Sequence, residues 1–173
     1  MSKIYCGHQQ LLDVITNEEF NGHILYVIDE VSSKETLEVL SNDLPDLNHF
    51  KLVSLNPSED HDIVYMLRRA ARRLLQGPDG FPLYVFATPH GLPYYSVTAP
   101  PAHDSGHQVG LETHLKKVLE ALSETPTELV ARAESLAQSL SVPKPKPGPV
   151  HGQLVKRALE AWSVADALSL IHI

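Results

Sequence analysis

Residues 80–95 read Gly80-Phe-Pro-Leu-Tyr-Val-Phe-Ala-Thr-Pro-His-Gly-Leu-Pro-Tyr-Tyr95, and the fold is decided here. Pro82–Ala87 and Leu92–Val97 are apolar runs carrying aromatic and β-branched side chains, the residues that suit a pleated, half-buried surface. Between them stands Thr88-Pro-His-Gly91, whose proline and glycine favour a reversal, so the pair predicts a β-hairpin. Proline has no N–H for a ladder and is tolerated at the first residue of a strand, which is where Pro82 falls.

Upstream, Gln76-Gly-Pro-Asp-Gly80 breaks the strongest helix of the chain. Its Ile63, Met66, Leu67, Ala70, Ala71, Leu74 and Leu75 recur at helical spacing and predict one apolar face. Arg68, Arg69, Arg72 and Arg73 fall on the other, either as a solvated face or as a site for a phosphate or an acidic partner. Phe50–Leu55 reads as a strand closed by Asn56-Pro57. His23–Ile28 is a continuous apolar run, as expected of a central strand buried on both faces. After it, Ser32-Ser-Lys-Glu35 has capping-box spacing and predicts a helix to about Asn42, before Pro45. A further helix is expected over residues 11–19, stopped by Asn21-Gly22.

Downstream, residues 98–110 form a loop with proline, glycine and histidine. Two amphipathic helices follow, 111–123 and 126–140, with Thr125-Pro126 supplying a cap and a first-turn proline. Residues 1–141 are therefore expected to be one domain with trailing helices. The proline-rich 142–150 reads as a semi-rigid linker. Residues 151–167 begin a further helical domain, and Leu168–Ile173 looks like an in-frame translation of a transposase adapter used in sequencing libraries. The chain accordingly reads as the amino-terminal part of a longer protein.

Residues 80–95 resemble the Gly-Trp-Pro-Leu-x-Val-Phe-x-Thr-Pro-x-Gly-x-Pro signature of the thioredoxin-like DUF255 family, also called spermatogenesis-associated protein 20-like. Ile28–Glu38 aligns with that family's Ile-Gly-Tyr-Ser-Thr-Cys-His-Trp-Cys-His segment, and Val64-Tyr65-Met66 also fits; the likeness spans roughly residues 11–140. It implies an α/β thioredoxin-like fold: a mixed four-stranded sheet flanked by helices, followed by C-terminal helices. The element order agrees, since alternating strands and helices predict a parallel pair and the hairpin an antiparallel edge. The resemblance also implies a cis bond before Pro82, and a proline opening a strand after a glycine turn suits one.

The departures carry the functional expectation. Where the family has two cysteines, this chain has Ser33 and Thr36, and Phe81 replaces the tryptophan before the proline. A thiolate at a helix N-terminus attacks and a second thiol resolves the mixed disulfide; hydroxyls can do neither at neutral pH. Helix capping suits them better. Cys6 is the only cysteine, which excludes an internal disulfide and a cysteine-built zinc site. The resemblance also implies a binding groove drawn from Ser33, Thr36, Phe81 and Pro82, with no catalytic residue and no metal.

Composition narrows the rest. A net charge of −7 leaves no electrostatic footprint for nucleic acid. No run of about 18 apolar residues exists to span a bilayer, and no basic start followed by an apolar run marks a secretory signal, so a cytoplasmic location is expected. Ten histidines invite a metal, but the densest group, His103, His107 and His114, lies by loop-forming Pro100, Pro101 and Gly106, and no cofactor is expected. His90 reads as an exposed turn residue. Three functions remain in view: a redox-dead binding or scaffolding module whose partners are a protein, a peptide or its own missing helical domain; a non-catalytic fragment of a carbohydrate-related enzyme; and a thiol oxidoreductase using Cys6.

Overall fold

The computed structural model describes residues 4–6, 22–30 and 34–141. The helix expected over 11–19, the linker 142–150, the helix from His151 and the adapter-like end lie outside the described residues.

Among the described residues there are five strands: β1 (Ile4–Cys6), β2 (Ile24–Ile28), β3 (Lys51–Leu55), β4 (Leu83–Ala87) and β5 (Pro93–Thr98). The helices are α1 (Lys34–Asp43), α2 (His61–Leu75), α3 (Leu111–Glu124) and α4 (Pro126–Leu140), with a 3-10 turn at Pro45–His49. In the sheet the order is β1-β3-β2-β4-β5. β1 and β2 run parallel to β3, while β4 is antiparallel to β2 and to β5. The four expected strands form the mixed sheet, and β1 adds a three-residue fifth at its edge.

Side chains alternate between two cores, as the two-residue period of a strand dictates. Leu25, Val27, Leu52, Tyr84 and Phe86 face one side, where Leu37 of α1 and Leu111, Leu115 and Val118 of α3 cover them. Ile24, Tyr26, Ile28, Val53, Leu55, Leu83 and Val85 face the other, against Val64, Leu67 and Ala71 of α2. Tyr94, Phe50 and Phe86 fill the first core, the two phenylalanines meeting edge to face at 5.3 Å. Burial of Tyr94 raises its phenol above the ordinary range.

One position on the α2 face is corrected. Met66 is 51 % exposed, and Val64 takes the inward place. The buried residues are Val64, Leu67, Ala70 and Ala71, and Met66 stands about 140° round the helix from Ala71 and about 160° from Val64, enough to turn it outward.

The loop after β5 is held by the helix it precedes. Asp104 accepts hydrogen bonds from the Gly110 amide (2.6 Å) and the Thr113 hydroxyl (2.9 Å), serving the start of α3 from six and nine residues away. A Cβ on Gly110 would sit 2.3 Å from the His103 carbonyl carbon, so only glycine lets the two backbones approach. Among the described residues no helix is long and apolar enough to cross a membrane.

Candidate functional site

Sheet register sets the site. Ile28 at the end of β2 pairs with Leu83 at the start of β4, and Leu83 in turn with Thr98 at the end of β5. Pro82 therefore lies at the sheet edge from which the chain leaves β2 toward α1. In open α/β sheets this is the edge where sites assemble, outside the carboxyl ends of the parallel strands. The Phe81–Pro82 bond is cis.

Three elements hold the segment before β4. Gln76, in the left-handed region at φ 53°, ends α2 and turns the chain into Gly77-Pro78-Asp79. The Asp79 side chain is 3 % exposed and accepts hydrogen bonds from Arg68 Nε at 2.5 Å and Arg72 Nε at 2.7 Å. Burial alone would raise its carboxyl; the two arginine hydrogen bonds outweigh that and hold it down at about 2. The Thr98 hydroxyl accepts from the Gly80 amide and donates to the Gly80 carbonyl, both at 2.8 Å. The Ala99 amide donates to the Pro82 carbonyl at 2.7 Å, with Ala99 at φ 43°, a conformation unusual for a residue with a side chain. Arg68 also lies over the Phe81 ring, 5.1 Å from its centroid.

Two of the four arginines read as a solvated face are thus structural anchors. Sequence reasoning missed the carboxylate they share. The signal was there: Arg68 and Arg72 are one turn apart on one helix side, and the next acidic residue after the helix breaker is Asp79.

The other expected site residues fall as follows. Thr36 is in the first turn of α1, and Ser33 lies outside the described residues. Phe81 and Pro82 are half-buried at the edge, Phe81 packed on the α2-side core. Asp29 is at the same edge, where its charge adds to burial in raising the Tyr84 phenol. Cys6 is on β1, three strands from β4, about 14 Å at ordinary strand spacing. Of the polar groups around Pro82, Thr98 is committed to Gly80 and Asp79 to two guanidiniums.

The histidines go to different partners. His103 Nδ1 is 2.8 Å from Glu112 and its Nε2 3.2 Å from Asp43, contacts that an imidazolium alone can donate together. Its basicity is raised by Glu112 first and Asp43 second. His114 shares a 2.6 Å hydrogen bond with the Tyr95 hydroxyl, and burial lowers its pKa. His90 is exposed in the turn between β4 and β5. Among the described residues no group of three or more His, Cys, Asp and Glu side chains is arranged to hold a metal ion.

The strand order and mixed pairing, with helices on both faces of the sheet, define a thioredoxin-like domain. The chain belongs to the family described as Thioredox_DsbH, Protein of unknown function, DUF255, whose sequence model matches residues 47–141, more than half of the chain. Among solved structures it is similar to an N21Q mutant thioredoxin from Halobacterium salinarum NRC-1, with 17 % identity and a TM-score of 0.43, covering 70 % of this chain and 89 % of that one. It is also similar to a designed protein, with 16 % identity and a TM-score of 0.40, covering 69 % and 90 %. None of the curated proteins matches.

Proposed function

We propose that this chain is a redox-inactive thioredoxin-like module that binds a protein or peptide segment at the edge formed by Phe81 and Pro82, rather than exchanging thiols and disulfides. One observation carries the reading: the chain's only cysteine is on β1, about 14 Å across the sheet from Pro82, and Ser33 and Thr36 stand where the family resemblance puts the thiols. The rigid fixing of the proline loop supports it. A surface held by Arg68, Arg72, Thr98 and Ala99 loses little conformational freedom when a partner docks, which favours binding. The partner is a segment of a longer form of this protein or a separate chain.

Insulin reduction with dithiothreitol tests the redox half. The chain is expected to add nothing to the dithiothreitol background, and Cys6→Ala to behave identically; turnover that disappears in Cys6→Ala overturns the proposal. The binding half is tested by immobilising the chain and a Phe81→Ala variant and identifying proteins retained by the first and lost from the second. Equal retention by both removes the edge as the binding surface.

A further inference from the structure

The arginines of α2 cluster away from the edge at Pro82, with Arg72 reaching both. Four of the chain's fourteen basic residues fall within Arg68–Arg73, in a protein whose net charge is −7. Arg68 and Arg72 hold Asp79. Arg69, Arg72 and Arg73, one helical turn or less apart, line a surface depression of about 370 Å3 together with Leu140 at the end of α4. Among the described residues that lining contains no carboxylate, and of its three guanidiniums only that of Arg72 is held by an acidic group, Asp79.

The guanidiniums are partly arranged in advance. Arg72 is tethered through Nε to Asp79 while 54 % of its side chain stays exposed. Arg69 lies over the Tyr65 ring, 5.9 Å from the centroid. Planar guanidiniums match phosphate oxygens two at a time, and fixing them beforehand reduces the ordering cost of binding. The volume equals that of about a dozen waters, room for more than one phosphoryl group. Leu140 adds an apolar wall that would face the organic part of a ligand.

We propose that the depression formed by Arg69, Arg72, Arg73 and Leu140 binds a small molecule carrying a diphosphate group. With Arg72 already paired to Asp79, Arg69 and Arg73 supply about two uncompensated positive charges and the three guanidiniums together several donors, which suits the many oxygens of a diphosphate better than a single carboxylate.

The test uses inorganic pyrophosphate as the probe, titrated into the full chain at fixed ionic strength and followed by calorimetry and amide NMR shifts. Saturable binding is expected, with perturbations on Arg69–Arg73 and Leu140. Arg69→Gln and Arg73→Gln each remove a charge-assisted contact and are expected to weaken binding about tenfold. Lys117→Gln on α3 removes the same charge elsewhere and is expected to leave it unchanged. Thermal melts of each variant confirm that it folds. Non-saturating shifts, an unaltered affinity in the Arg69→Gln, Arg73→Gln double variant, or equal weakening by Lys117→Gln would each refute the site. Loss of pyrophosphate binding leaves retention at the Pro82 edge unaffected, so the two proposals fail separately.

Discussion

Asp79→Asn probes the loop that presents Pro82. In the folded chain the Asp79 carboxyl is held near 2 against an ordinary 3.8, because Arg68 and Arg72 donate to it in a site where its side chain is 3 % exposed. A carboxyl whose folded pKa is depressed contributes stability above the unfolded value, and the contribution is lost as pH falls through the folded value. Taken at face value the difference is about 2 kcal/mol. Arg68 and Arg72 are 34 % and 54 % exposed, so solvent screening reduces the expectation to about 1 kcal/mol. Asparagine keeps the shape and one acceptor while removing the charge. Urea denaturation of the wild type and Asp79→Asn, followed by circular dichroism, should show the wild type more stable by about that amount near neutral pH. The gap should begin to close below pH 4 and be largely gone near pH 2. A gap that is constant from neutral pH down to 2 would refute the ionic origin of the clamp, leaving only shape.

Two further outcomes are expected. Phe86→Ala opens a cavity between Phe50 and Tyr95 at a fully buried position and should cost about 3–5 kcal/mol in urea denaturation; a loss below about 1 kcal/mol would contradict the packing. NMR titration should find His103 with a pKa above its ordinary 6.5 and His114 below it. Glu112→Gln should bring His103 back toward 6.5, because the carboxylate that favours its imidazolium is gone; the stabilising bridge to Asp43 and Glu112 is present at low pH and fades as pH rises through the raised value. Unchanged titration in Glu112→Gln would show the bridge absent in solution.

What could be read from the sequence was what depends on short-range pattern. The continuous run at Ile24–Ile28, the turn chemistry at Thr88–Gly91 and the apolar stripes of α2, α3 and α4 each express their structure within a dozen residues, and all formed where expected. β1 could not be read, because three residues carry no period and its existence depends on pairing with β3, nearly fifty residues away. α1 ends at Asp43, before Pro45 as expected, but that Pro45 then opens a 3-10 turn whose Leu47 is buried by contacts from elsewhere could not be read. The Asp79 clamp joins charges that look solvated one at a time; only the fold shows that the carboxylate is enclosed. The placement of Phe81 and Pro82 just before β4 was legible because the residues that follow them form a strongly patterned hairpin.

The brevity of β1 has a bearing on how the domain behaves when concentrated. An outer strand offers its unused amides and carbonyls to any other extended chain, and long flat ones invite sheet-to-sheet stacking. Here one margin is only three residues long, and the opposite margin begins at Pro93, which has no amide hydrogen to donate. An irregular register between Phe86 and Ala87 further bends that side. A sheet whose middle strands are so uniformly apolar is thereby given little length along which to recruit another, and lengthening β1 is the change that would most promote self-association.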